Sequence, residues 1–348
     1  MKAQKKLNQN TWLKQSNTEA WIVKDGPGNL FSTTTTINII MLRFIAVFIC
    51  FTSFNFNLQA QPVLKNNNGK DHYTIPFRMT AYNNIILKAA LNGRDTVSLM
   101  LHTAASDITL TEEATRKLAT IQFTGSVNDV QSWGGGGNGS RYSKDNTLNI
   151  AGLQWDKVEI WDDQNSGQES DGKIGLNFFN GQVLDFDFEK QQLTVGPSLP
   201  HRLRQYEKLQ LIAKGNNLFI KGDLKIASES LTAELLLHSG YGGDILLNDA
   251  FVQNHKIDQK IKITSEKKLK DAYGNVLTTQ KGVLPALKLG KIQLSNTNVG
   301  FFTGTVGRQK MSIVGGDILK RFHLIIDAKR QHVYLKPNRY FKSGYSNI

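Results

Sequence analysis

A segment with the same local pattern occurs twice in this chain, and it limits the folds that the chain can adopt. The two copies span residues 97–110 and 232–247. Each copy is an apolar strand, then a histidine (His102 or His238), a small hydroxyl residue, a very small residue and a second apolar strand. The histidines are separated by the length of a domain, which is far longer than the period of a solenoid repeat. We therefore expect two similarly folded halves, each with a histidine at the end of a strand.

A second landmark follows each histidine in the same order. Gly175 follows His102 at nearly the same interval as Gly315 follows His238. Each glycine ends a short apolar strand, and an aspartate, Asp187 or Asp327, follows the two glycines at an identical interval. Glycine suits a position where two backbones approach too closely for a side chain. Two landmarks in one order, at nearly constant spacing, support a duplication.

Composition and patterning favour an all-β protein. A chain of 348 residues is long enough for two lobes with separate cores, and its 30 glycines suit many short strands joined by tight turns. The apolar stretch at 85–91 is followed by Asn92-Gly93, which predicts a hairpin. Helical signals are few and short, at 111–119 and 248–254, and each begins with a capping residue.

These residues and their order resemble the active-site loops of two-lobed aspartic proteases of the pepsin and retropepsin type, in which each lobe supplies Asp-Thr/Ser-Gly. The resemblance covers roughly residues 72–336. It implies an all-β, two-lobed acid-protease-like fold of duplicated retropepsin-like β-barrel lobes related by a pseudo-twofold axis. His102 and His238 then occupy the positions of the catalytic aspartates. Thr103 and Ser239 match the hydroxyl residues that brace the two loops, and these four residues form the candidate catalytic centre.

The resemblance also assigns residues to a substrate cleft. Trp133 and Gly134 lie where the family has the flap that closes over substrate, so Trp133 is expected over the groove. Tyr273 and Gly274 are the corresponding pair in the second half, where a plain surface hairpin is the open alternative. The family geometry further predicts burial beside the loops of four apolar residues: Leu101, Leu237, Ile174 and Val314.

Further residues near the histidines bear on the site. Asp107 and Asp244 follow their histidines by five and six residues, and we expect them to face solvent or to contact substrate. Ala104 departs from the family's glycine, whereas Gly240 keeps it. A methyl group at Ala104 could crowd its loop, which makes an active first lobe less favourable.

The N-terminal region has the pattern of a secretory signal. Residues 41–60 contain Arg43, then an apolar stretch, then Ala60 at a plausible cleavage point. This pattern predicts a secreted or periplasmic protein. The alternative is a membrane anchor through residues 37–58, with the preceding lysines on the cytoplasmic side.

The expected organisation follows from that signal and from the duplication. Residues 1–40 are a dispensable or mis-assigned extension, and 41–60 are the signal peptide. The N-terminal lobe is predicted at 61–198 and the C-terminal lobe at 199–348, with the boundary at the densest proline cluster of the chain.

Charge distribution and cysteine content limit which ligands and cross-links this protein can have. The formal net charge is +13, but lysines and arginines are dispersed among acids, so we expect a solvated surface and no nucleic acid. The single cysteine, Cys50, lies inside the predicted signal, so the mature protein would have no disulfide and no cysteine metal site. We expect a monomer without cofactor or metal, and without a stable membrane span after signal removal.

Two imidazoles change the chemistry of the centre. In an aspartic protease, two carboxylates about 3 Å apart share one proton and hold the attacking water. Imidazole has an unperturbed pKa of roughly 6.5, and both enclosure and a second nearby imidazole disfavour its cation. A neutral pair carries no negative charge, so it is a weaker partner for water activation.

Three interpretations of His102 and His238 stay open. They can be structural, with each ring hydrogen-bonding across the lobe interface. They can be general bases of a hydrolase, since histidine titrates near neutral pH. They can be two of the three or four ligands that zinc requires, although no obvious third ligand follows from the sequence. The leading expectation is a catalytically impaired protein that binds extended peptide in the inter-lobe cleft. The alternative is an active peptidase or hydrolase that uses the histidines at near-neutral pH.

Overall fold

A computed structural model of the chain describes residues 63–65, 71–131, 137–163, 169–270, 276–303 and 309–346. All of them belong to one compact unit that begins at Leu58. The predicted extension and signal peptide, residues 1–60, lie outside the described residues. Within those ranges, no helix is both long enough and apolar enough to cross a membrane.

The first half of the described chain consists almost entirely of strands. In chain order they are β1 (Val63–Lys65), β2 (Tyr73–Met79), β3 (Ile85–Leu91), β4 (Asp95–His102), β5 (Ile108–Thr111), β6 (Gly125–Gln131), β7 (Gly137–Ile150), β8 (Leu153–Asp163), β9 (Gly172–Gly175), β10 (Val183–Asp187) and β11 (Gln192–Gly196). Helix α1 (Glu112–Thr115) follows β5, and a single 3₁₀ turn (Leu176–Phe179) follows β9.

The second half repeats this order. Its strands are β12 (Glu207–Gln210), β13 (Ile212–Lys214), β14 (Asn217–Ile226), β15 (Glu229–His238), β16 (Ile245–Leu246), β17 (Ile263–Lys270), β18 (Val276–Leu289), β19 (Ile292–Thr303), β20 (Ser312–Gly315), β21 (Phe322–Ile326) and β22 (His332–Pro337). Helices α2 (Asp249–His255) and α3 (Ile257–Lys260) follow β16, and α4 (Gly316–Leu319) follows β20.

Each half closes into a six-stranded barrel, which confirms the predicted all-β, two-lobed fold with internal duplication. The first barrel runs β3-β4-β9-β5-β8-β7 and closes by β7 pairing with β3; the second runs β14-β15-β20-β16-β19-β18 and closes by β18 pairing with β14. In both, the histidine strand lies parallel to the glycine strand, with His102 opposite Gly175 and His238 opposite Gly315. The two landmarks of each half therefore meet in space.

A third sheet joins the lobes and reveals their symmetry. Its strand order is β12-β22-β21-β10-β11-β2. Where β10 and β21 pair, Asp185 lies opposite Ile325. These are equivalent positions, each two residues before the repeated aspartate (Asp187 or Asp327). Because equivalent residues pair with each other in an antiparallel ladder, the pseudo-twofold axis passes between these two strands.

Local sequence signals account for the turns and helix starts. Asn92 and Gly93 have φ of 50° and 67°, the left-handed conformation that a two-residue hairpin requires, as predicted. Thr111 and Asn248 cap α1 and α2, each accepting a hydrogen bond from a backbone N–H three residues on. Helix α1 ends at Thr115, so the prediction of a helix through residue 119 was too long.

Buried Arg321 fixes the C-terminal segment onto the second lobe. Its guanidinium donates to the carbonyls of Tyr340 at 3.0 Å, Ser343 at 2.6 Å and Gly344 at 3.1 Å. It also pairs with the buried Asp317 carboxylate at 3.3 Å. A guanidinium has five N–H donors in a rigid fork, so one side chain can satisfy several carbonyls of a non-regular segment.

We predict that Arg321→Gln destabilises the protein by about 3 kcal/mol, because it leaves a buried carboxylate and several carbonyls with fewer donors. Arg78→Gln is the matched control, since the Arg78–Glu169 ion pair is exposed and should contribute less than about 1 kcal/mol. Urea unfolding followed by tryptophan fluorescence measures both changes. Equal unfolding midpoints for the two variants would contradict this role of Arg321.

Candidate functional site

The two histidine loops meet between the lobes. The ring centroids of His102 and His238 are 4.5 Å apart, and the ring planes are inclined at 63°. Both side chains are half-buried. The apolar residues expected beside the loops are all essentially inaccessible to solvent: Leu101, Leu237, Ile174 and Val314. The duplicated motifs therefore form one site, here called the histidine pair.

Thr103 and Ser239 hold the loops together through reciprocal hydrogen bonds, here called the Thr103–Ser239 brace. The backbone N–H of each residue donates to the other's hydroxyl oxygen at 3.0 Å. The Thr103 hydroxyl then donates to the carbonyl of Leu237, and the Ser239 hydroxyl to that of Leu101, both at 2.5 Å. Both side chains are buried. Since a buried N–H or C=O without a partner is costly, each loop depends on the other for its backbone hydrogen bonds.

Each imidazole is oriented by its own loop. The Nδ1 atom of His102 accepts from the backbone N–H of Ala104 at 3.2 Å, and Nδ1 of His238 accepts from that of Tyr241 at 2.9 Å. A backbone N–H can only donate, so both Nδ1 atoms are unprotonated and the proton of each neutral ring is on Nε2. Among the described residues, the hydroxyls of the brace make hydrogen bonds that cross the interface, and each Nδ1 atom is used within its own loop.

Both imidazoles are held neutral. Desolvation lowers the pKa of His102 to about 3, with further contributions from His238 and from the positive charge of Lys173. Desolvation likewise lowers the pKa of His238 to about 4, and Lys173 again adds to the shift. At neutral pH the centre is thus an uncharged pair with an N–H on each ring.

Lys173 is a site residue that the sequence argument missed. It lies on β9 opposite Met100, two residues before the Gly175 that faces His102. Residues two apart on a strand share a face, so Lys173 and His102 lie on the same face of the barrel. Its ammonium group pairs with Asp163 at 3.2 Å and is about one-quarter exposed. The strand parity relative to Gly175 is the sequence signal that could have identified it.

The third residue of each motif differs for a steric reason. A Cβ atom at Gly240 would overlap the imidazole of His102, so this position excludes any larger residue. Ala104 instead packs with Tyr241 against an apolar cluster of the second lobe. The methyl group that was expected to crowd the first loop is therefore accommodated, and the two loops are not equivalent.

The predicted substrate-binding residues have different outcomes. Asp107 is exposed, as expected. Asp244 is only 4% exposed, so it does not face bulk solvent; it lines a cavity of about 440 Å³ together with Tyr241 and Asn298. The predicted flap residues lie outside the described residues: Trp133, Gly134, Tyr273 and Gly274.

Asp244 and Asp317 form a pair of interacting acidic groups, here called the carboxyl pair. The buried Oδ1 atom of Asp244 has no hydrogen-bond donor among the described residues. Burial and the adjacent negative charge of Asp317 raise the pKa of Asp244 to about 8, so Asp244 keeps its proton and shares it with Asp317. Burial opposes ionisation of Asp317 too, but hydrogen bonds from Lys320 and Ser346 outweigh it and keep the pKa of Asp317 low.

The described part of the site offers few metal ligands. Within the described ranges, no three His, Cys, Asp or Glu side chains are grouped closely enough to hold a metal ion. The histidine pair offers two nitrogens, and both Nδ1 atoms are occupied by backbone N–H groups.

Comparison with solved structures identifies the fold. The crystal structure of an aspartic proteinase from Irpex lacteus aligns with 79% of this chain and 100% of its own, with a TM-score of 0.53 and 11% sequence identity. No family model matches the chain, and no curated protein matches it. The chain has the two-lobed fold of a pepsin-like aspartic proteinase. At this identity the likeness concerns the fold and leaves the activity to be argued from the site.

We predict that the histidine pair makes the protein less stable in acid. The unfolded histidines bind protons below roughly pH 6.5, whereas the folded ones do so only near the lowered pKa values of about 3 and about 4. Lowering the pH from 7 to 4 therefore favours unfolding, by on the order of 3 kcal/mol after allowance for partial exposure. The double variant His102→Asn/His238→Asn should lack this part of the acid-induced loss of stability. His201→Asn, at an exposed histidine, should keep it.

The measurement is the difference in unfolding free energy between variant and parent at several pH values. This difference cancels the titration of all other groups. A difference that does not change between pH 7 and pH 4 would show that the imidazoles are not desolvated as described.

We predict the opposite sign for the carboxyl pair. Since the pKa of Asp244 rises on folding from 3.8 to about 8, the unfolded carboxyl ionises first, and the protein loses stability as pH rises between these values. Asparagine does not titrate, so the melting temperature of Asp244→Asn should rise relative to that of the parent by several degrees between pH 5 and pH 8. This corresponds to about 1–3 kcal/mol of unfolding free energy. Asp145→Asn, at an exposed residue of strand β7, is the control. A difference in melting temperature between Asp244→Asn and the parent that stays constant over this pH range would refute proton sharing.

Proposed function

We propose that this protein binds an extended peptide in the cleft between its lobes and does not cleave it. The observation that carries the proposal is the protonation of the histidine pair. Each Nδ1 lone pair is used by a backbone N–H, and each Nε2 carries a proton. A group that activates water must offer it a free lone pair, and neither imidazole does so in this arrangement.

Basicity supports the same conclusion. A general base works best when its pKa lies near the working pH. The pKa values of His102 and His238 are lowered to about 3 and about 4, so both are weak bases. The pair also has no negative charge with which to stabilise a protonated partner. The loop geometry therefore supports the proposed loss of catalysis, as does the presence of histidine at both positions where the family has aspartate.

The features that support a binding cleft are retained. The Thr103–Ser239 brace keeps the two lobes in contact at the centre, and a solved structure with a similar fold is an aspartic proteinase. With each Nδ1 atom accepting from its own loop, the proton of each neutral ring is on Nε2. In the proposed function, these N–H groups donate to an acceptor on the bound peptide, such as a peptide carbonyl.

The setting of this function comes from the sequence. The signal pattern at 41–60 supports a secreted or periplasmic protein. The dispersed charge argues against nucleic acid as a partner. We propose a monomer whose partner is an extended peptide or protein segment.

An active hydrolase with a near-neutral optimum is the second candidate, because two neutral imidazoles meet at 4.5 Å between the lobes. It requires one ring to change tautomer and give up its hydrogen bond from Ala104 or Tyr241. A neutral Nε2 would then face the cleft as the base.

Peptide digestion distinguishes the two candidates. We expect purified residues 61–348 to leave a random peptide library intact at both pH 4 and pH 7.5. The double variant His102→Asp/His238→Asp restores two carboxylates on the same brace, and we expect it to gain cleavage at acidic pH.

Cleavage by the parent protein would overturn the proposal. A near-neutral optimum that is lost in His102→Ala or His238→Ala, with little change in melting temperature, would support the hydrolase. Loss of such cleavage on addition of a chelator would instead indicate a metal-dependent activity.

A further inference from the structure

The histidine pair presents hydrogen-bond donors at the centre of the proposed cleft, where an aspartic protease presents mainly acceptors. In an aspartic protease, the two carboxylates share one proton and offer mostly acceptor oxygens. Here the two rings offer N–H donors, because Nδ1 of each already accepts from the backbone. The complementary ligand group is therefore an acceptor, where the family's centre favours a donor such as water.

Lys173 adds positive charge to this centre. The β4–β9 register places it on the same face as His102, and its charge acts on both imidazoles. Asp163 is its ion-pair partner, at 3.2 Å. An ammonium group has three donors, and Asp163 is the only acceptor of Lys173 among the described residues, so donors remain for a ligand. The Asp163 carboxylate is 41% exposed and is screened by solvent.

Nearby acidic groups do not cancel this charge at the rings. Among the described residues, no hydrogen bond or ion pair joins either imidazole to a carboxylate; the Nδ1 atoms accept from backbone N–H groups. Asp244 is protonated and directed to Asp317, Glu159 lies 3.7 Å from the ammonium group of Lys144, and Asp107 is exposed. The centre combines two neutral donors with one cation, which is the donor set that holds a carboxylate well.

We propose that the cleft centre receives a carboxylate of the bound peptide, with His102 Nε2–H, His238 Nε2–H and the Lys173 ammonium group as donors. This inference rests on the proposed function and names the chemical group that the cleft selects. The carboxylate is either an acidic side chain or the C-terminal carboxylate of the peptide. Lys173 is then the residue that determines specificity for the anion.

The first test needs no peptide. Long-range ¹H–¹⁵N spectra of the imidazoles report the tautomer directly, and acetate alone serves as the probe. We expect Nε2–H rings in the free protein and saturable shifts of both Nε2 resonances with acetate. Lys173→Gln should weaken acetate binding about tenfold, whereas Lys117→Gln should not, because Lys117 lies in the turn after helix α1 and is ion-paired with Glu113. An unchanged spectrum at high acetate would overturn the inference.

The second test identifies the source of the carboxylate. A library of random octapeptides is screened twice, with free C termini and with C-terminal carboxamides. If the C terminus is recognised, amidation should lower affinity about tenfold; if a side chain is recognised, Asp→Asn or Glu→Gln in the selected peptides should do so. In either case the difference between acid and amide should disappear in Lys173→Gln and persist in Lys117→Gln.

The outcomes separate the two proposals. Peptides that bind equally well as acids and amides would support the binding function and overturn the carboxylate site. Saturable acetate shifts without binding of any peptide would support the carboxylate site and overturn the peptide-binding function. Absence of both would overturn both.

Discussion

The Thr103–Ser239 brace is the interaction on which the site depends. Each hydroxyl accepts from the other loop's backbone and donates to a carbonyl one residue before the other histidine. Four buried hydrogen bonds thus join two loops that neither lobe satisfies by itself. Because the bonds are reciprocal, a shift of one loop would break bonds in both. This fixes the separation of the strands that carry His102 and His238 and leaves the rings little choice of position.

Between the braced loops, the imidazoles fill space as well as making hydrogen bonds. The ring of His102 fills the space above Gly240, where a Cβ atom cannot fit. The desolvation that results keeps both rings neutral, and the backbone N–H at each Nδ1 decides which nitrogen holds the proton. The described centre is thus an uncharged pair of rings, and Lys173 lies on the same face of the barrel as His102.

Much of this could be predicted from the sequence, because the duplication supplies two copies of every signal. The strand–His–hydroxyl pattern and the repeated glycine predicted two similar halves with a close backbone approach at each glycine, and the observed registers of His102 with Gly175 and of His238 with Gly315 agree. Other features could not be predicted. The tautomers depend on loop dihedrals, since the N–H that reaches Nδ1 comes from Ala104 in one loop and from Tyr241 in the other. Lys173 is a lone lysine until the β4–β9 register places it beside His102.

The sequence by itself indicated two similar β-rich halves, because its repeat supplies the same strand signals twice. Its resemblance to aspartic proteases implied that the two histidines meet and that hydroxyls brace their loops. Only the tertiary structure decided the protonation and charge of the site, because both depend on burial and on groups far apart in the chain. Asp244 and Asp317 show this most clearly. They belong to different elements, the loop before β16 and helix α4, and they share a proton only because the fold buries both carboxyl groups against each other.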